Sequence, residues 1–460
     1  MSRCKLCLAV LLVTCVGVAS AATVTETAIG SLPLADLRRA PFVMAPSQRN
    51  VATVVREGTS ERVVAVGYLG PPFDRILPRS VRWVGDRLVY VAAAKDGFFL
   101  VDGARTVRLP AMPVETAGDR PLVSADAKQY MLFVPDRGGI APWLNGVRRS
   151  SRYERILFVP PLRTPDSSLL YAVQRDCVQL IQGHTSSARL RWTVLSGVFG
   201  SPDGGNVYVW GVVEGRPKLA RNGRVIFDLD LGGTFAADRA GENWAGLVDE
   251  TSAVQERTVL VINGKRVSTD DSGRLVHELY LSPKGGMWSW IVPTANDEGA
   301  IIRMPGRADV EVPGYAARSF TFSDDGARTA YLIIKNGVAR AVIDGKPMAS
   351  QAISTWQAFT FGPASRYAYV AGHQTPDAKR VSTDRALGPP FSEVTAPRFT
   401  AAGAAAYAAK RQTEAFVVID DEVVQLKVDE LVMSSFAVNP AVRVLARRGA
   451  EIVELTITPR

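Results

Sequence analysis

The chain has 460 residues, 47% of them hydrophobic and 22% charged, with 54 Lys and Arg against 45 Asp and Glu. That balance excludes a disordered chain and supplies apolar side chains for a large core. The formal charge of +9 and pI near 9.4 are spread among almost as many acidic residues, with no basic stripe or run, which excludes the usual footprint of a nucleic-acid binder.

Residues 1–21 read as a leader. Arg3 and Lys5 form a positive start, Leu6 to Val18 an apolar stretch, and Ala19-Ser20-Ala21 a small-residue cleavage site, so the mature chain is expected to begin at Ala22 and to be periplasmic or secreted. Leu12-Val13-Thr14-Cys15 offers the alternative of a lipid anchor at Cys15. Cys4, Cys7 and Cys15 fall inside the leader, which leaves Cys177 alone and an exported protein dependent on its core instead of disulfides. No later segment is apolar for long enough to span a bilayer as a helix.

From Phe42 onward the sequence repeats. An apolar residue precedes a Ser-Pro-Asp-Gly-like turn at Phe42, Trp83, Val123, Leu162, Phe199, Phe235, Leu281, Phe322, Phe361, Phe399 and Phe436, at separations of 36 to 46 residues. In register with that slot come an aromatic seven to nine residues on (Tyr90, Tyr171, Tyr208, Trp244, Trp290, Tyr331, Tyr369, Tyr407) and a later Asn-Gly or Asp-Gly turn, as at Asn145-Gly146, Asn222-Gly223 and Asp344-Gly345. The copy from Phe322 to Lys346 shows the unit most plainly. Thr329 to Ile334 and Val338 to Ile343 read as strands, and the dipeptides between and after them suit two-residue hairpins whose central positions need positive φ. Nothing reads as a long amphipathic helix; Val428 to Met433 makes at most a turn or two. A four-stranded antiparallel unit cannot bury both faces alone and must stack on its neighbours.

A period near 40 residues with four strands per unit is that of a propeller blade. The SPDG turn at Ser201 with Tyr208, and VIDGK at Val342 with Tyr331, resemble the bacterial WD-repeat-like propellers, including the TolB-type periplasmic ones. The resemblance implies an all-β fold, a β-propeller of about ten to eleven four-stranded blades. Two tandem propellers are expected, 22–234 with about five blades and 235–460 with about six, split at the longest interval. The alternative is one large ring closed by the strand-like N-terminal residues completing the last blade. Ala364-Ser365 and Ala402-Gly403 depart from the Asp-Gly turn.

No motif for chemistry is found. His184, His277 and His373 stand alone, without the paired spacing of a zinc or iron site, and no G-x-S-x-G elbow occurs. Asp270-Asp271, and Asp228 with Asp230, lack the spaced pattern of a calcium loop. No cofactor, metal or catalytic residue is therefore expected. The resemblance places residues just upstream of the slot at a central funnel, which nominates Trp192, His277, Arg318, Trp356 and Arg398 as binding residues. The expected role is a non-catalytic exported scaffold for an envelope protein or peptide, with a glycan or small ligand as the alternative and a propeller lyase or hydrolase behind both.

Overall fold

In the computed structural model residues 22–458 are described except 33–41, 46, 48–49, 116–120, 125, 158–169, 175–177, 183–184, 187–190, 202, 204, 229–233, 252–255, 268–277, 295–297, 316–318, 336–337, 349–358, 372–378, 439–440 and 450. The chain is all-β: apart from a three-residue 3₁₀ turn at Pro363–Ser365, every regular element among the described residues is a strand, and every strand pairing is antiparallel. No helix among these residues is long and apolar enough to cross a membrane. Among the described residues the strands form ten sheets. Nine follow one another along the chain over residues 43–69, 75–109, 122–148, 155–227, 235–267, 278–313, 321–347, 360–383 and 393–426. The 155–227 sheet is a double unit, two meanders joined by the single pair Val178–Trp192. The tenth combines the three C-terminal strands (Glu430–Ala437, Val442–Arg448, Glu451–Thr458) with the N-terminal strand Thr23–Ser31, which pairs with Glu451–Thr458 from Thr23↔Thr458 to Ser31↔Glu451.

The strands predicted at Thr329 and Val338 lie at Thr329–Lys335 and Val338–Ile343. Val428 to Met433 runs instead into the strand Glu430–Ala437, because Leu431 and Phe436 are drawn into a core between two sheets. Two slots shift by two residues. Ala45 N–H bonds to the Asn50 carbonyl, and Asp238 N–H to that of Asn243, as Ser124 N–H does to that of Gln129, so the slot residues are Met44 and Ala237 in place of Phe42 and Phe235. In both cases the aromatic was the more conspicuous residue, but the hairpin forms where the turn residues are.

The second strand of a unit explains why the sequence shows apolar runs here instead of strict alternation. Along Leu88–Ala92, the side chains of Leu88, Tyr90 and Ala92 pack against the preceding sheet, while Val89 and Val91 pack against the following one. Alternate side chains leave opposite faces of a strand, so a strand covered on both sides is apolar throughout. The fourth strands behave differently. Val147–Arg148 and Lys346–Pro347 are exposed and Thr23–Ser31 nearly so, whereas first strands such as Leu122–Val123 and Thr321–Phe322 are buried or half-buried.

Among the described residues core side chains gather in eleven clusters, ten of them with buried members from two units and one, around Trp192, with buried members from the 192–227 meander alone and half-buried Leu157 packed against it. The cluster across 234/235 joins Tyr208, Trp210 and Leu219 to Trp244, Val248 and Val261, with Phe235 stacked 5.3 Å from Trp210, so the packing continues there as elsewhere. One cluster joins the two ends of the chain: Val51, Val55 and Val64 of the first sheet meet Val432, Leu445 and Ile452 of the last.

Candidate binding site at the rim of turns

In three units the turn after the first strand is built by a hydroxyl and a carboxylate. Ser323 donates through its hydroxyl to Asp325 Oδ1 at 2.6 Å and accepts the N–H of Arg328 at 2.9 Å; Ser201 with Asp203 and Asn206, and Ser124 with Asp126 and Gln129, repeat the pattern. The Ser323 hydroxyl, followed by the Ala327 N–H, holds the Asp325 carboxyl below the ordinary carboxylate range. Gly205 N–H and the Ser201 hydroxyl do the same for Asp203. The carboxylates are thus committed to the turns as acceptors, which favours their charged form.

Successive turns also touch. Asp203 N–H donates to the Arg239 carbonyl at 3.2 Å, and Arg239 N–H to that of Pro283 at 2.8 Å. The Arg239 side chain then reaches across the 278–313 sheet to the sheet beyond it, placing Nη2 3.1 Å from Asp324 Oδ1 and Nη1 3.4 Å from Oδ2. Both side chains of this pair are more than half exposed, 58% and 56%.

Beside Asp324 opens a cavity of about 400 Å³. Lys284, Asp324 and Asp325 form its charged wall; Phe361, Pro363, Ala364 and Phe399 form its apolar one. The apolar wall is made by the turn 362–365 (GPAS), which departs from the repeat, and by the strand ends Phe361 and Phe399, the second of which precedes the other departing turn, 400–403 (TAAG). Behind it, the Arg328 guanidinium lies 5.9 Å from the Phe361 ring centre and that of Arg366 5.6 Å from Phe399, arrangements that hold the rings in place. Arg366 is itself 9% exposed and fixed by Asp384, Asp420 and the Gly403 carbonyl.

Of the nominated residues, Trp192 is 1% exposed and packs with Val207, Val209 and Val213, a core position with no face open to a ligand. Arg398 is exposed on the short first strand Arg398–Phe399, next to Phe399 of the cavity. His277, Arg318 and Trp356 lie outside the described residues, as do His184, His373, Cys177, Asp230 and Asp270-Asp271. Asp228 is paired with Lys218 at 2.8 Å. Among the described residues no three His, Cys, Asp or Glu side chains gather as metal ligands would. Sequence reasoning passed over Arg239, Lys284 and Asp324, although the altered turns at 364 and 402 were visible. Their being neighbours in space was not.

No family model matches the chain, and no curated protein matches it. Among solved structures it is similar to a eukaryotic initiation factor, at 13% identity over 81% of this chain and 95% of that one, with a TM-score of 0.35. It is similar to TolB from Acinetobacter baumannii at 12% identity, covering 80% of this chain and 78% of that one, with a TM-score of 0.26. A third similar structure is Kuenenia stuttgartiensis hydrazine synthase, at 13% identity, 56% and 75% coverage and a TM-score of 0.26.

Proposed function

We propose that this chain is a non-catalytic β-propeller of eleven blades in one ring, exported to the cell envelope, where its rim of turns is offered to a protein or peptide partner. The ring reading is supported by the core cluster shared between the first and last sheets and by the N-terminal strand completing the last one. Its edges would thereby be removed, as they are in closed β architectures. Export rests on the leader at 1–21. The role as a scaffold is carried by one observation, the hydrogen-bonded succession of turns from Asp203 to Asp324, which makes a firm surface with a half-apolar cavity in it. Its carboxylates already serve as acceptors in their own turns, a use that suits a platform better than acid-base chemistry.

In-cell photo-crosslinking from a benzoylphenylalanine placed at Ala364, on the exposed lip of the cavity, tests this reading. One discrete envelope protein in the adducts is expected, with none from the same group placed at Val147 on an outer strand. Adducts no different from background at Ala364 would overturn the scaffold role.

A further inference from the structure

We infer that the rim cavity is a docking site for a short peptide segment in which an arginine is flanked by apolar side chains. This rests on the scaffold reading and states what the rim would grip. The cavity lies where the repeat changes character, between the charged turn 323–326 (SDDG) and the apolar turn 362–365 (GPAS) with Phe399 beside it. Pro363 and Ala364 are exposed, next to half-exposed Phe361 and Phe399. Water gains nothing from such a wall, whereas apolar side chains of a partner would. A cavity of about 400 Å³ is in the range that encloses a small ligand or a few side chains.

The facing wall selects the charge. Arg239 already sets both guanidinium nitrogens against the Asp324 carboxylate, so the rim itself displays the two-point geometry by which a guanidinium is held. Because that ion pair is more than half exposed, it is weak and exchangeable. An arginine from a partner, anchored by its apolar neighbours, takes the place of Arg239. Asp324 and Asp325 disfavour carboxylate or phosphate guests, and Lys284, whose charge reaches Asp325, disfavours a run of cations. One arginine between apolar residues satisfies all three.

The test uses fluorescence anisotropy of the purified mature chain with a fluorescein-labelled hexapeptide of alternating leucine and arginine. Leucine–glutamate and glycine–arginine hexapeptides are the comparisons. Saturable binding is expected for leucine–arginine, at least about tenfold tighter than for either comparison, and weakening as salt rises. Asp324→Asn should weaken it about fivefold. Arg239→Ala should tighten it by a similar factor, because the internal competitor is gone and the competent fraction rises. Lys284→Glu, at another exposed position, should tighten it too and guards against a folding defect in either of the first two variants. Equal binding of all three peptides, or affinities that none of the variants alters, overturns the inference. If the peptide fails while crosslinks from Ala364 persist, the scaffold stands and the arginine preference falls; if both fail, the scaffold falls with it.

Discussion

Gly326 meets two demands at once. Its φ of 72° belongs to the left-handed region, and a Cβ there would lie 2.9 Å from Met287 Cγ and 3.0 Å from Met287 Cβ of the preceding sheet. Gly241 is held in the same way, at φ 69° and 2.8 Å from Ser201 and Asn206. Gly326→Ala should therefore cost more than the turn alone would predict, about 2–3 kcal/mol from left-handed strain plus crowding, measurable as a lower urea midpoint at unchanged m. The carboxylates of these turns give a pH signature. Asp203 is held below its ordinary value by the Gly205 N–H and Ser201 hydroxyl, so its contribution to stability is complete above the unfolded carboxylate pKa, about 3.9, and is lost as pH falls through the lower folded value. Asp203→Asn should melt earlier than the parent at pH 7, and the gap should close as pH falls below the lowered folded value; a gap independent of pH would contradict the assignment. The turn dipeptides were legible from sequence because Asn222 and Gly223 take φ of 49° and 75°, as a two-residue hairpin requires. Local propensity did not reveal that Asn222 also exchanges two hydrogen bonds with Val207, fifteen residues back, its N–H giving to that carbonyl and its Oδ1 accepting from that N–H at 2.8 Å each. That bond depends on the hairpin before it.

Within the sheets, the second strand is the anchor and the first is the one that yields. In the 75–109 sheet the first strand is broken into Arg75–Ile76 and Arg82–Val84, both paired with Arg87–Ala94. Ser80 fills the break, its hydroxyl accepting the Val91 N–H at 3.3 Å and donating to the Val91 carbonyl at 3.1 Å, with no exposure to water. Thr395 receives the Ala408 N–H at 3.0 Å and Ser319 the Leu332 N–H at 3.0 Å, a few residues before the slot residues Phe399 and Phe322, so the device recurs. A buried N–H that loses its acceptor costs about 1–3 kcal/mol, and Ser80→Ala should destabilise by that order in chemical denaturation. Ser80→Thr keeps the hydroxyl and should recover part of the loss if there is room for its methyl. The sequence made this hard to see. A serine after Pro78-Arg79 reads as loop, and a loop is what sequence rules assign to a segment whose backbone partner is a side chain. The strands themselves were legible for the opposite reason: Leu88–Ala92 is apolar on both faces because both are covered, and the run stands out between its turns.

At the scale of the whole molecule the question is whether the sheets make one ring or two. With the slot at Ala237 in place of Phe235, the interval behind the expected seam after 234 is 44 residues, of which 268–277 lie between Lys265–Val267 and Glu278–Leu281. Core packing across 234/235 involves Trp210, Phe235 and Trp244, as extensive a set of large side chains as at any junction. Two separate propellers would each have to close on their own, yet the terminal sheets are packed on each other, and Ala22 N–H is bonded to Glu422 of the sheet next to the last. In the proposed ring, sheets stacked about 10 Å apart, eleven to the circle, would give a mid-blade circumference of about 110 Å and a mid-blade diameter near 35 Å. If the proposed single ring holds, electron micrographs should show one annulus with a central opening, about 50 Å across once the outer strands are added. Tandem propellers would appear as two smaller discs, an outcome that would reject the ring. Deleting residues 23–31 separates closure from blade formation. Each remaining sheet keeps its own hairpins, but Glu451–Thr458 becomes an open edge with its pairing groups unpaired. The truncated chain should melt several degrees lower and associate with itself through that edge, seen as a concentration-dependent shift in sedimentation. Unchanged melting and a monomer at all concentrations would mean that the N-terminal strand adds nothing to the closure, and the ring would then rest on side-chain packing between Val51, Val55, Val432 and Leu445 alone.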